Sequence, residues 1–201
     1  MLNTDYRVLT KALTLRLQPH MDAAIDREQT AFLTSRLIGE NICLLQSLPS
    51  WLSAQQRSAV VAFVDFRKAY DTLDRSFILR CMEVMGVPAG FRQWVQLLLS
   101  GTEASTCVNG FQSTPLLTHA GVRQGCPLSP LLYLFVGQAL LSWLKQCGVG
   151  IALDGSTLTA VQFADDIKIF LADLTPATVD RLQQALLTFA RSSGQHTTLD
   201  K

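Results

Sequence analysis

The sequence predicts an α+β fold in which helices pack against one face of an antiparallel sheet. Short apolar stretches rich in β-forming residues, at 59–64 and 158–170, alternate with longer stretches of helical periodicity. Asn-Gly and Asp-Gly pairs at 109–110 and 154–155 are typical of two-residue β-hairpin turns. The 201 residues are enough for one domain with its own hydrophobic core.

Composition narrows the class of protein. Hydrophobic residues make up 48% of the chain and charged residues 16%, which is typical of a globular rather than a disordered protein. The five cysteines and three histidines lack the spacing of a disulfide framework or a zinc site. The formal net charge of +1 argues mildly against a domain that binds nucleic acid strongly by itself.

Neither a secretory signal nor a membrane span is visible in the sequence. Residues 1–5 are immediately polar, and the longest apolar run, 131–144, is interrupted and too short to cross a bilayer. We therefore expect an intracellular protein without membrane contact, and we interpret the apolar run as a buried helix.

Six helices are predicted. Residues 4–21 and 29–48 carry apolar stripes at helical spacing, and the second region is expected to end before Pro49. The stripes consist of Tyr6, Leu9, Leu13 and Leu17 in the first region and of Ile38, Ile42 and Leu45 in the second. N-caps, prolines and closing glycines predict four more helices. The first runs from Asp74 to Gly86 and the last from Thr175 to Gly194. Of the two between them, one begins after Pro88 and the other begins at Ser129 and Pro130.

The first candidate site residue is Asp65, which ends a near-continuous apolar run at 59–64. Such a run is typical of a strand buried on both faces. A carboxylate at the end of a buried strand is costly unless it is paired or bound to metal, so Asp65 is a candidate metal ligand. The alternative is an ordinary strand-ending aspartate that caps the next turn.

The second candidate is the adjacent pair Asp165 and Asp166, at the centre of residues 161–170 (VQFADDIKIF). Apolar residues alternate before and after the pair, which predicts a strand, a tight turn and a returning strand. Two neighbouring anions repel each other, so their position between two apolar strands favours a bound cation. A solvated acidic turn is the alternative.

These aspartates suggest a single metal centre. If the strand before Asp65 neighbours the hairpin of Asp165 and Asp166 in an antiparallel sheet, three carboxylates converge. Hard oxygen ligands of this kind suit Mg²⁺, which also binds substrate phosphates. Two such ions could activate a 3′-hydroxyl and stabilise a leaving pyrophosphate in an in-line displacement.

A polar loop at residues 121–130 (GVRQGCPLSP) is a candidate recognition element. Its glycines permit unusual backbone angles and close approach to another molecule, and it leads directly into the predicted buried helix. Arg123 and Gln124 are therefore polar groups held on a rigid support, as in many recognition loops. A purely structural turn stays open as an alternative.

Three segments in this order closely resemble motifs of reverse transcriptases, specifically those of LINE-type (non-LTR) retrotransposons. They are residues 63–71 (FVDFRKAYD), 121–130 (GVRQGCPLSP) and 163–166 (FADD). Residues 2–13 and 29–42 are similar to the family's fingers motifs, so the resemblance covers nearly the whole chain. Three ordered motifs are far more specific than any one of them.

The resemblance implies a fold and a domain organisation. Residues 1–201 are expected to form one reverse transcriptase domain, in which about 1–58 are partial fingers and about 59–201 are mainly a polymerase palm. The family's thumb, endonuclease and zinc knuckle have no counterpart in the sequence. A segment that carries a phosphate-binding arginine in relatives is missing before the first motif, so the chain resembles a domain truncated at both ends.

The resemblance also implies roles for individual residues. Asp65, Asp165 and Asp166 match the catalytic aspartates that bind two Mg²⁺ ions, for which Mn²⁺ is a substitute. The carbonyl of Phe66 is a further candidate ligand. Tyr70 matches the aromatic residue that packs under the incoming sugar and disfavours a 2′-hydroxyl.

Further residues match positions that contact nucleotide or template. Arg123, Gln124 and Gly125 belong to the loop with that role. Lys201 matches a lysine near the nucleotide's phosphates, a candidate proton donor to pyrophosphate. Thr198 departs from the pattern, because relatives commonly have asparagine three residues before this lysine. The alternative for Tyr70 is a purely structural role in the core, and the alternative for Lys201 is a frayed chain terminus without a role in binding.

The favoured function is RNA-directed DNA polymerisation, with an RNA template, a DNA primer and dNTPs as partners. A second hypothesis is a non-catalytic, truncated retroelement fragment that at most binds RNA or a protein. The intact aspartates favour chemistry, whereas the missing segments favour the fragment. A palm-type nucleotide cyclase or other nucleotidyl transferase is a third hypothesis, but it offers no reason for the loop at 121–130.

Overall fold

The computed structural model describes residues 2–198, which form six helices and nine strands. The helices are α1 (Thr4–Ala24), α2 (Ile38–Ala54), α3 (Arg75–Val84), α4 (Ala89–Leu99), α5 (Ser129–Gln146) and α6 (Pro176–Ser193). The strands are β1 (Val60–Val64), β2 (Glu103–Ala104), β3 (Cys107–Val108), β4 (Phe111–Gln112), β5 (Leu116–Leu117), β6 (Ile151–Leu153), β7 (Ser156–Leu158), β8 (Ala160–Phe163) and β9 (Asp166–Leu171). The mixture of helices with antiparallel strands confirms the α+β class.

The principal sheet has three antiparallel strands in the order β1, β9, β8. Strands β1 and β9 are distant in sequence, and their register pairs Val60 with Leu171 and Val64 with Ile167. The remaining described strands form three separate two-stranded ribbons, β2 with β5, β3 with β4 and β6 with β7. The strand before Asp65 therefore does pair with the acidic hairpin, which is the condition on which the proposed convergence of carboxylates depended.

Helix α5 is at the centre of the core. Twelve of its residues are buried, as expected from the apolar run at 131–144. It contacts α1, α3 and α6. The large core cluster also contains Ile167 and Ile169 of β9, with Val60, Ala62 and Val64 of β1 packed against it. One face of the sheet therefore lies on the main helical core.

The prediction that helices cover only one face of the sheet is wrong. Leu48 and Leu52 of α2 form a second cluster with Val161 and Phe170, which point to the opposite face because side chains alternate along a strand. Helix α2 covers only the end of that face far from Asp65. The uncovered end leaves Phe63 76% exposed, so the prediction that β1 is buried on both faces is also wrong.

The predicted second helix differs from the structure in its bounds and its buried face. Residues 29–37 are not helical, and α2 continues through Pro49 to Ala54. Pro49 is exposed, so water can hydrate the carbonyl group that a proline leaves without its helical donor. The predicted stripe is correct only for Leu45, which packs against the second cluster, whereas Ile38 and Ile42 are exposed. The buried residues of α2 are Asn41, Leu48 and Leu52.

Most local signals were predicted correctly. The Asp74 side chain accepts a hydrogen bond from the Phe77 N–H (2.7 Å), which caps α3. Thr175 caps α6, and Gly194 ends it in the left-handed region. Asn109 and Gly110 both have positive φ, as a type I′ hairpin turn requires. No helix in the described part of the chain is long and apolar enough to cross a membrane.

Candidate active site

The acidic pair lies at the tip of the β8–β9 hairpin. Phe163 pairs with Asp166, so Ala164 and Asp165 form a two-residue turn. Ala164 has φ of 58°, a left-handed conformation that glycine adopts more easily than alanine. The turn therefore holds Asp165 outside the ladder and places Asp166 at the first position of β9.

Asp65 lies beside this turn. The pairing of Val64 with Ile167, extended by one residue, sets Asp65 across from Asp166 on the central strand. Asp65 and Asp166 are exposed and Asp165 is partly exposed, at the end of the sheet that α2 leaves uncovered. Two strands about 100 residues apart in sequence thus bring three carboxylate-bearing positions to one edge.

The side chains of Asp65, Asp165 and Asp166 do not meet at one point, although their backbone positions are adjacent. Among residues 2–198, no three aspartate, glutamate, histidine or cysteine side chains are close enough to hold a metal ion as they stand. The predicted convergence is thus confirmed for the backbone positions only. Neighbouring carboxylates repel, and exposed side chains move readily between rotamers. The three residues offer hard carboxylate oxygens at one end of the sheet, and this type of donor fits a divalent cation such as Mg²⁺.

The C-terminal described segment runs along the chain that follows Asp65. The Thr198 N–H donates to the carbonyl of Asp65 (2.9 Å), and the Arg67 N–H donates to the carbonyl of His196 (2.9 Å). Phe66 bridges to Thr197 between these two bonds, and its own carbonyl takes no part in them. Phe66 is buried. Lys201, the predicted nucleotide contact, lies outside the described residues.

Tyr70 links the candidate site to the core. Its half-buried ring stacks on Tyr133 of α5, with ring centroids 4.9 Å apart and planes 23° apart. Burial, and then the charge of Asp165, raise the pKa of Tyr70 to about 12. The same two causes raise the pKa of Tyr133 well above its ordinary value. Both phenols therefore ionise less readily than a free tyrosine, and the charge of Asp165 acts on both.

The loop at 121–130 is docked on the turn that contains Tyr70. The Val122 N–H donates to the Tyr70 carbonyl (2.8 Å), and the Gln124 side-chain amide donates to the carboxylate of Asp71 (3.0 Å). A Cβ at Gly121 would lie 2.6 Å from the Asp71 carbonyl oxygen, so only glycine permits this approach. The guanidinium of Arg123 lies 4.8 Å from the ring centroid of Tyr6, a cation–π contact.

The structure thus connects most of the predicted site residues. The strand register sets Asp65 across from Asp166. The charge of Asp165 contributes to the raised pKa of Tyr70. Hydrogen bonds connect the turn that contains Tyr70 with the loop at 121–124. Gln124 and Gly125 are exposed there, and Arg123 is partly exposed.

Two supporting residues were missed by the sequence analysis. Tyr133 carries the stack under Tyr70, and its hydroxyl donates a long hydrogen bond (3.4 Å) to Gln195. The buried Gln195 amide in turn donates to the carbonyl of Ala69 (2.8 Å) and to the hydroxyl of Thr72 (3.0 Å). A tyrosine inside the apolar run of α5 was the available signal, because a buried phenol needs a hydrogen-bond partner.

The fold is similar to that of solved telomerase structures. The telomerase of Candida tropicalis, in complex with a TWJ fragment of telomeric RNA, matches with a TM-score of 0.62 at 10% sequence identity. The match covers 96% of this chain and 32% of that one. The telomerase of Candida albicans in a corresponding complex matches with a TM-score of 0.58 at 14% identity, over 98% of this chain and 33% of the other. At these identities the similarity establishes the fold alone.

The sequence matches the family described as reverse transcriptase (RNA-dependent DNA polymerase) over residues 1–201, and the chain belongs to that family. It is 27% identical over 195 residues to the transposon TX1 149 kDa protein of Xenopus laevis. It is 30% identical over 165 residues to the Pol polyprotein of the type-2 retrotransposable element R2DM of Drosophila melanogaster. These alignments cover 96% and 81% of this chain but only 15% and 16% of the relatives. The resemblance to non-LTR retrotransposon reverse transcriptases is confirmed.

Proposed function

We propose that this chain contains the polymerising centre of an RNA-directed DNA polymerase, which transfers a nucleotidyl group from a dNTP to a primer 3′-hydroxyl. The observation that carries the proposal is the β1–β9 register, which sets Asp65 beside Asp166, with Asp165 one residue away in the turn. A structural sheet end gains nothing from three adjacent anions, since like charges at close range destabilise one another. Family membership supports the same chemistry.

In this proposal Asp65, Asp165 and Asp166 hold two Mg²⁺ ions, with Mn²⁺ as a substitute, and the Phe66 carbonyl is an added ligand. Bound ions would lower the pKa of the primer hydroxyl and neutralise charge on the phosphates. The chain itself contributes a rigid sheet end, which fixes the backbone positions of the three aspartates. Their exposure leaves room for the primer end and the triphosphate.

The nucleotide and the template are assigned to the surface between Tyr70 and the docked loop. The Tyr70 ring, supported by Tyr133, is placed under the sugar, where it disfavours a 2′-hydroxyl. Arg123, Gln124 and Gly125 are assigned to nucleotide and RNA template contacts, because the loop presents Gln124 and Gly125 to solvent on a fixed backbone. Lys201 is assigned to the phosphates from the resemblance alone. We also keep the division into a fingers part (about 1–58) and a palm part (about 59–201) as a proposal.

Primer extension on an RNA template tests the proposal directly. We expect Asp165→Asn and Asp166→Asn to lower nucleotide addition by about 100-fold or more, because each removes a ligand charge from the reacting centre. Both variants should fold as the wild type does, since the changed side chains are at least partly exposed. The matched control is Asp154→Asn, the same chemical change in the β6–β7 turn.

The outcomes separate the hypotheses. Extension that both site variants lose and the control keeps supports the proposal. Undiminished extension by the site variants contradicts the roles of Asp165 and Asp166. A wild-type chain that is folded by circular dichroism but does not extend primers favours the non-catalytic fragment.

A further inference from the structure

We propose that Gln29 is a positioning residue, which fixes the turn that carries Asp165 and Asp166 by clamping the backbone of Ala164. The inference rests on the proposed function, because the turn matters for catalysis only if these carboxylates take part in it. Gln29 lies far from the hairpin in sequence, yet its side chain is fully buried against the turn.

The clamp consists of two hydrogen bonds to one residue. The Ala164 N–H donates to Oε1 of Gln29 (3.1 Å), and Nε2 of Gln29 donates to the Ala164 carbonyl (3.2 Å). A primary amide is the side-chain group that offers a donor and an acceptor side by side, as a neighbouring strand does. Gln29 thus continues the ladder around a turn residue that β8 and β9 leave unpaired.

The second N–H of the Gln29 amide and the second acceptor site of its oxygen also have partners. Nε2 of Gln29 donates to the side-chain oxygen of Gln162 (3.1 Å), and Oε1 accepts from the Ala31 N–H (3.0 Å). The amide thus donates two hydrogen bonds and accepts two, and a flip of the group by 180° would break all four. A buried amide that loses these partners is costly, so its orientation is fixed.

The backbone on either side of Gln29 is anchored to the same sheet. The Gln162 N–H donates to the Glu28 carbonyl (2.7 Å), and the Thr30 N–H donates to the Gln162 carbonyl (3.1 Å). This parallel bridge places residues 28–30 against the outer edge of β8. The guanidinium of Arg36, itself nearly buried, holds the Gln29 carbonyl from the other side (2.8 Å).

Helix α5 closes the space around the clamp. A Cβ at Gly137 would lie 3.1 Å from Oε1 of Gln162 and 3.4 Å from Nε2 of Gln29. A side chain at this position would therefore crowd both amides, and the Gly137 carbonyl accepts a hydrogen bond from Gln162 (3.3 Å). The amides have little room to move.

The clamp has a direct consequence for the acidic pair. Ala164 is in the left-handed region, where a side chain costs about 1 kcal/mol, and Asp165 and Asp166 follow it directly. Bonds to both backbone groups of Ala164 select this conformation over those that alanine prefers. Loss of the clamp should leave the fold intact but let the turn, and both carboxylates, move.

The test compares Gln29→Met with Gln138→Met. Both changes remove a buried glutamine amide, but the Gln138 amide accepts from the Asp26 N–H (2.8 Å) and donates to the Ser142 hydroxyl (3.3 Å) rather than to Ala164. We expect amide hydrogen exchange at Ala164, followed by NMR, to become about tenfold faster in Gln29→Met alone. We expect kcat for primer extension to fall about 100-fold in that variant, with KM for dNTP little changed.

A second variant covers the case in which Gln29→Met does not fold. Gln29→Glu keeps the length of the side chain but loses the donor to the Ala164 carbonyl when ionised. Protonation at lower pH restores an O–H donor beside an acceptor. The Ala164 amide signal should therefore move back toward its wild-type position as the pH falls.

The positioning role is overturned if Ala164 exchange and kcat change equally in Gln29→Met and Gln138→Met, or if the Gln29→Glu signal does not respond to pH. A wild-type chain that does not extend primers overturns the proposed function instead. Loss of Ala164 protection confined to Gln29→Met in such a chain still supports the clamp on the turn.

Discussion

At the scale of single residues, Tyr70 shows how one side chain can belong to both core and site. One face of its ring stacks on Tyr133, and the charge of Asp165 contributes to its raised pKa. A ring half-buried in this way is held in place yet still has surface for a ligand. The proposed role of Tyr70 beneath the sugar of the nucleotide depends on this combination of a fixed ring and an accessible surface.

Tyr70→Ala should raise incorporation of rNTPs relative to dNTPs by roughly tenfold or more, because the 2′-hydroxyl no longer meets the ring. The ratio of kcat/KM for the two substrates on one RNA template measures this effect. Tyr133→Phe is the control, since it keeps the supporting stack and removes only the hydroxyl that contacts Gln195. If the ratio of rNTP to dNTP incorporation is unchanged in Tyr70→Ala, Tyr70 is a core residue without a role in selecting the sugar.

At the scale of elements, the end of α6 determines where the last described segment lies. Gly194 has φ of 75° and turns the chain toward the residues that follow β1. A Cβ at Gly194 would lie 2.2 Å from the carbonyl oxygen of Thr72. This contact allows residues 196–198 to pair beside Asp65, so a helix ending contributes to the order of the candidate site.

Gly194→Ala should therefore destabilise the fold by roughly 3 kcal/mol or more, through backbone strain and a clash with backbone that cannot move away. Gly86→Ala is a matched control, because Gly86 follows α3 with φ of 80° and its Cβ would meet no atom within 4 Å. The control should cost only about 1 kcal/mol, the strain of alanine in that region. Urea unfolding of both variants measures the difference, and equal costs would show that the close contact is unimportant.

At the scale of the whole molecule, an ion-pair cluster joins the chain after α1 to the end of α5. The ammonium of Lys145 lies 2.8 Å from Asp26 and 2.7 Å from Glu28. Burial raises the pKa of the Asp26 carboxyl, but hydrogen bonds with Lys145 and Gln138 and the charges of Lys145 and Arg36 outweigh it and hold that pKa below its usual value of 3.8. Glu28 is adjacent to Gln29, so the cluster also anchors the segment that carries the clamp.

Asp26→Asn should lower the free energy of unfolding by about 0.5–1 kcal/mol near neutral pH, since the pair is partly solvated. The pKa of Asp26 is lower in the folded than in the unfolded chain, so its stabilisation is complete above pH 3.8 and is lost as the pH falls through the folded-state value. The difference between wild type and variant should therefore shrink below pH 3.8. Urea unfolding at neutral and acidic pH tests this, and a difference that does not change with pH would contradict the assignment.

Sequence patterns within a few residues determined much of this protein. The caps at Asp74 and Thr175, the Asn-Gly and Asp-Gly turns and the buried helix at 131–144 were predictable, because they depend on local dihedral preferences and on apolar content. The ordered motifs around Asp65, 121–130 and Asp165 identified the family without any structure. Bounds at 29–48 failed because buried polar contacts of Gln29, Thr30 and Asn41 replace the helix expected there.

The spatial arrangement of these pieces became visible only in the folded chain. The register of β1 on β9 sets Asp65 beside Asp166, the segment at 196–198 borders that edge, and Gln29 reaches the acidic turn from more than 100 residues away. The physical reason is that a strand pattern specifies which face is buried but not which strand it pairs with. Pairing is selected by the burial of apolar surface and by the satisfaction of buried polar groups over the whole chain.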